Sequence, residues 1–255
     1  MLEFMKKITF SLIGAIGLVA MIGCSLILKQ RIASPVVSRD ISAEIVNPEE
    51  PANSPYLVNH RNVLTTWFRG GTPAGDGDRG TSNIDSAWYK DWRTQLGGAD
   101  NGRLDLVRPG KDNLYYFALP CPDYNDAGLI SANIEKARAA GINVPTSIAK
   151  GQSAFKNLWI QVKYGTKTVY AQWEDVGPLG PNIADDCPYV LGDARPLQEK
   201  TKSIDSALDL SPTAFTYLNN NLDKGVIKAS WAFVAAESVP DGPWKATITS
   251  AGPDW

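Results

Sequence analysis

A single histidine, His60, stands in a chain of 255 residues, and that count limits the chemistry before any motif is read. Metal sites built on two or three histidines are excluded, and a histidine-based triad would have to use this one residue. His60 lies beside Arg61 and reads as a surface residue. Proton transfer therefore falls to carboxylates, and two aspartates are distinctively placed. In the run VYAQWED (169–175) the two-residue period of a strand puts Val169, Ala171, Trp173 and Asp175 on one face, so Asp175 continues an apolar face just before Val176-Gly177-Pro178. At Asp209 the neighbours Leu208 and Leu210 share a face and leave the carboxylate on the other, shortly before Ser211. Both positions resemble those of residues at the rim of a barrel. Each also has an ordinary structural role open to it, since an aspartate before a Gly-Pro turn bonds to its own backbone and one near a helix start is favoured by the dipole.

Aromatic rings offer a second kind of chemistry. Trp159, Trp173, Trp231 and Trp244 are candidates for stacking on the apolar face of a sugar, with a place in the core as the alternative for each. Trp159 is the favoured platform, because it opposes the face of Leu158, Ile160 and Val162. The stretch GDGDRG (75–80) has the flavour of a calcium loop but lacks the ligand spacing and the closing glutamate, so it reads as a turn. No metal and no cofactor is expected.

The elements that must hold these groups are mostly strands. Leu158, Ile160 and Val162 alternate with Trp159, Gln161 and Lys163, and Gly165-Thr166 turns the chain into 168–173, which predicts a β-hairpin. Further strands are expected at 63–68, 114–119, 189–191, 207–210 and 226–234. Helices are expected at 85–95, with Trp88 and Trp92 on one face, at 132–140 before Gly141, and at 213–218, where Ser211 is the cap and Pro212 the first helical residue. A loop carrying Asp185, Asp186 and Cys187 is expected between Pro178 and Tyr189. No internal repeat is visible.

The composition, 44% hydrophobic and 20% charged, is that of a globular protein, and a net charge of -2 leaves no cationic excess for nucleic acid. Lys6-Lys7 precede an uncharged run from Ile8 to Leu28, which reads as a targeting segment that exports the rest. Met21-Ile22-Gly23-Cys24 resembles a bacterial lipoprotein signal with Cys24 as the lipidated residue, and this reading is favoured over an uncleaved spanning helix, which the length of the run allows, and over a plainly cleaved signal. Residues 29–55, with four prolines, read as a flexible tether. Once Cys24 is assigned to the leader, Cys121 and Cys187 remain as a pair that an oxidising compartment allows to form a disulfide, against the alternative of two unrelated buried thiols.

The strings AQWEDVGP (171–178), ALDLSPTAFTYL (207–218) and GVIKASWAFV (225–234) resemble the double-psi β-barrel domains of expansins and of rare-lipoprotein-A-like proteins. With SAWYKDW (86–92), YYFALP (115–120) and VPDGPW (239–244) added, the chain is similar to a group of exported bacterial proteins that share this barrel. The resemblance implies a mainly β fold with short helices: a six-stranded double-psi barrel over 157–255, with 56–156 as an N-terminal α/β elaboration packed on it. It also implies a groove for a glycan strand, peptidoglycan in the first place. Asp175 and Asp209 would be its catalytic aspartates, and Trp159, Trp173, Tyr170, Asp126 and Glu174 would touch the sugar. One acid suffices for lytic cleavage, whereas hydrolysis usually takes two carboxylates. The chain departs from the enzymes of this group in one respect: the strand at 115–120 lacks their histidine. Asp123 and Asp126 are the candidate substitutes, and a groove that binds without cutting, as expansins do, is the alternative. A protein-interaction module on the same scaffold is the third reading.

Overall fold

The computed structural model describes residues 56–73, 82–102, 110–123, 127–178, 183–192 and 208–253. The expected leader with Cys24, the tether, the 75–80 turn and Asp126 lie outside the described residues. Six strands close into a barrel in the order β1-β5-β2-β4-β3-β6. They are β1 (Tyr56–Trp67), β2 (Tyr116–Leu119), β3 (Trp159–Tyr164), β4 (Lys167–Val176), β5 (Leu208–Leu210) and β6 (Ile227–Val234). Among the described residues four short α-helices lie between them: α1 (Trp92–Gln95), α2 (Ala127–Ala139), α3 (Ile183–Val190) and α4 (Pro212–Asn219).

The pairing has a hidden symmetry. β1 runs parallel to β5 and β2 parallel to β4, and the other four junctions are antiparallel. An axis passing between β5 and β2 on one side, and between β3 and β6 on the other, exchanges β1 with β4, β2 with β5 and β3 with β6. Every parallel or antiparallel junction maps onto one of its own kind. Two interleaved three-strand units, β1–β3 and β4–β6, thus build one closed ring, which is the double-psi arrangement. The boundary expected at 156/157 therefore does not separate barrel from cover, since two of the six strands come from the stretch before it.

Local chemistry explains the better-defined elements. β3 and β4 meet at a two-residue turn whose first residue, Gly165, has φ 58°, the left-handed conformation glycine adopts without a Cβ penalty. α4 starts as its sequence dictates: Ser211 Oγ accepts from the Ala214 N–H at 3.0 Å, and Pro212 occupies the first turn. The carboxylate of Asp100 adds to that cap, accepting from the Thr213 hydroxyl at 2.8 Å.

Two expected elements differ. Of 85–95 only α1 is helical, because Asp91 adopts a left-handed φ of 50° and breaks the chain just ahead of it. The loop and strand expected across 185–191 are instead α3, which runs through Pro188. Cys187 on α3 is joined to Cys121, just beyond β2, by a disulfide with Cα atoms 4.5 Å apart.

Two apolar layers sandwich the wall formed by β5, β2 and β4. Phe117, Leu119, Leu208, Leu210, Trp173 and Val176 belong to the barrel interior. Tyr116 and Ala118 face the other way, into a second cluster with Phe68, Tyr89, Trp92 and Leu96 from the β1–β2 connection. His60, expected at the surface, is buried: its ring stacks on Trp231 at 3.9 Å, and Nε2 lies 3.3 Å from the Val190 carbonyl. Among the described residues, no helix is long and apolar enough to cross a membrane.

Candidate functional site

The site is organised by an irregularity in β4. Phe117 pairs with Trp173, but the next residue, Ala118, pairs with Asp175, so two residues of β4 advance against one of β2. Such a bulge swings the side chain that follows it to the opposite face. Trp173 stays in the interior with Phe117, while Asp175 comes out on the side of Ala118, and Val176 returns to the interior opposite Leu119. The strict alternation that placed Asp175 on the face of Trp173 thus fails at one residue.

That swing brings the two aspartates together. Ala118 pairs with Asp175 on one side and with Asp209 on the other, and directly paired residues share a face. Asp209 in turn pairs with Thr66 on β1, whose hydroxyl donates to its Oδ1. The row Thr66, Asp209, Ala118, Asp175 therefore crosses four strands on the outer face of the barrel. Two strand spacings set the Cα atoms of the aspartates about 10 Å apart. Ala118 between them is buried in the cluster with Phe68, Tyr89 and Trp92. Around the pseudo-axis Asp175 corresponds to Thr66, and Asp209 to Ala118.

Asp175 is half-buried and held by one oxygen. Its Oδ1 accepts from the Ala87 N–H at 2.7 Å and from its own neighbour Val176 N–H at 2.8 Å. Oδ2 has no protein partner among the described residues. Burial pushes the carboxyl up to about 7 against the pull of those two N–H groups, and the negative charge of Asp209 adds to the rise.

The expected sugar contacts lie elsewhere. Trp159, Trp173, Trp231 and Trp244 are all buried, with Trp173 at 0% exposure between Phe155 and Phe117, so none presents a ring face as a platform. Their hydrophobic area is worth more inside the barrel than at its rim. Tyr170 is buried too, its hydroxyl 2.6 Å from Gln161 Nε2. Glu174, the bulged residue, is sealed from solvent and pairs with Lys156 at 2.9 Å. Burial raises its carboxyl, Lys156 draws it down, and nearby Asp112 raises it again. Asp123 is a structural hub: Oδ2 takes the Ser153 hydroxyl and the Ala154 and Phe155 N–H groups, while Oδ1 takes the Trp88 indole. Among the described residues, no cluster of three or more metal-ligating side chains occurs.

Thr66, Ala87 and Ala118 were not foreseen. Thr66 and Ala118 carry no mark beyond a strand position, and a backbone donor such as Ala87 leaves no trace in residue type.

Fold and site define a double-psi β-barrel protein with a carboxylate row on its outer wall. No family model matches the chain, and no curated protein does. Among solved structures it is similar to the Streptomyces papain inhibitor (SPI), at 17% identity and a TM-score of 0.30, over 71% of this chain and 98% of that one. So distant a likeness says nothing about the site.

Proposed function

We propose that this is an exported, membrane-anchored protein of the bacterial cell envelope whose outer-face groove binds a glycan strand, peptidoglycan in the first instance, and cleaves it with Asp175 as the acid. The observation that carries the reading is the row itself: two carboxylates flank Ala118 on the outer face of the wall, one with an oxygen that no described residue contacts and a carboxyl pushed up to about 7. Such an acid is poised to give a proton to a glycosidic oxygen at neutral pH. Once ionised, it takes a proton from a hydroxyl of the same sugar, and that hydroxyl closes on the anomeric carbon to release an anhydro end. The arrangement sets one raised acid and a second carboxylate two strands away. It suits a single acid with Asp209 stabilising positive charge, or a water between the two. The disulfide supports an oxidising compartment, and with it export.

A second reading, a wall-binding module without catalysis, is favoured by the hydrogen bond from Ala87, which gives Asp175 a tethering role that needs no chemistry. Incubating the detergent-solubilised full chain with purified sacculi separates the two. Anhydro-ended muropeptides establish lytic cleavage and reducing ends establish hydrolysis. Retention on sacculi without released fragments establishes the binder, and neither retention nor products defeats both.

A further inference from the structure

We infer that the SAWYKDW segment (86–92) is a backbone clamp that fixes Asp175 in a single orientation and places its acidic proton on Oδ2, the oxygen that receives neither N–H. The argument starts from donors and acceptors. Oδ1 receives two N–H groups, at 2.7 Å from Ala87 and 2.8 Å from Val176. An oxygen that already faces two donors can serve only as an acceptor, because a proton on it would point at another proton. In the neutral acid the proton therefore belongs to Oδ2. The Val176 donor is local and accompanies any aspartate at this turn. The Ala87 donor is not local, since it reaches across from the connection between β1 and β2.

That connection is anchored from several sides. The Ser86 hydroxyl accepts from the Trp88 and Tyr89 N–H groups at 3.1 and 3.0 Å, and the Ser86 N–H donates to the Tyr89 carbonyl at 3.0 Å, closing a tight turn around Ala87. The Trp88 indole donates to Asp123 Oδ1 at 3.0 Å, and its fully buried ring stands edge-on to Trp173 with centroids 6.2 Å apart. The Trp173 indole then donates to the Asp175 carbonyl at 2.7 Å. The circuit Asp175, Ala87, Trp88, Trp173 and back to Asp175 is closed, with the side chain held from one direction and the main chain from the other. The other carboxyl group that acts on the clamped one is Asp209 across Ala118, itself bonded by the Thr66 hydroxyl. The clamp deepens the acid reading given above, but its test does not depend on what the groove binds.

The experiment is a carboxyl-carbon NMR titration of the full chain in detergent, with the Asp175 signal identified by its loss in Asp175→Asn. The wild-type signal should titrate near 7 and the Ala87 amide should shift with the same midpoint. Ala87→Pro deletes the donor, and because a hydrogen bond to a charged group favours the ionised form, the midpoint should rise by about one unit, tenfold in acidity. Trp88→Phe keeps an aromatic ring, though a smaller one, and loses the indole N–H, so a smaller rise in the same direction is expected should the proline variant not fold. A midpoint unmoved in a folded variant, or a wild-type Ala87 amide that ignores the Asp175 titration, overturns the clamp. Absence of muropeptide products with the clamp intact would overturn the glycan-cleaving reading alone.

Discussion

Asp175 and His60 respond to pH in opposite senses. Asp175 has its folded pKa raised to about 7 from 3.8, so the fold prefers its protonated form. The stability this provides is complete below the unfolded value and is lost as pH rises through about 7. Asp175→Asn stays neutral throughout, and its melting temperature should match wild type at pH 4 and exceed it by pH 8, with any cleavage abolished. A gap that stays constant with pH would contradict this. His60 is lowered to about 4 from 6.5 by burial, against its bond to the Val190 carbonyl. Its contribution is present above the unfolded value and disappears as pH falls through about 4. His60→Phe should cost about 1 kcal/mol at pH 7 for the lost hydrogen bond, and the deficit should close by pH 4 in melts of both proteins. At Lys156 and Glu174 the issue is pairing. Lys156→Met leaves Glu174, beside Asp112, buried without its cation, at a cost of about 3–5 kcal/mol. Lys156→Met combined with Glu174→Leu should recover a large part of it in a urea-denaturation double-mutant cycle.

Among the elements, the disulfide between the end of β2 and α3 closes a loop of sequence separation 66. By loop-closure entropy it is worth about 4 kcal/mol. Replacing both cysteines by alanine should lower the urea midpoint accordingly, whereas an unchanged midpoint would mean that α3 holds its place without the link. The β3–β4 hairpin, β6 and the cap of α4 were legible in the sequence because each obeys a local rule: a two-residue period, a glycine turn, or serine followed by proline. α3 was hidden by Pro188, which normally argues against a helix, and His60 by the polar neighbours Arg61 and Asn62. The face of Asp175 could not be read at all, since a bulge depends on the partner strand and not on the sequence that carries it. Both aspartates were identifiable by their place beside turns, but their shared face depends on Ala118, whose type announces nothing.

At the scale of the molecule, the pseudo-two-fold ring explains why no repeat shows in the sequence: the symmetry lies in strand direction and order, which many unlike residues satisfy. The same interleaving governs how the chain reaches its fold. β1 pairs with β5 and β6, so the first strand of the barrel finds its partners only in the last third of the chain. Hardly any of the ring can close early, and the search for distant partners costs loop entropy before contacts repay it. Refolding from urea should accordingly be slow, in the range of milliseconds to seconds, and the unpaired edge of β1 should make the waiting chain prone to aggregate. A stopped-flow trace completed within microseconds would contradict this. During synthesis the consequence is temporal: the strand carrying Thr66 emerges long before β5 delivers Asp209, so the carboxylate row is assembled only when the ring is nearly closed.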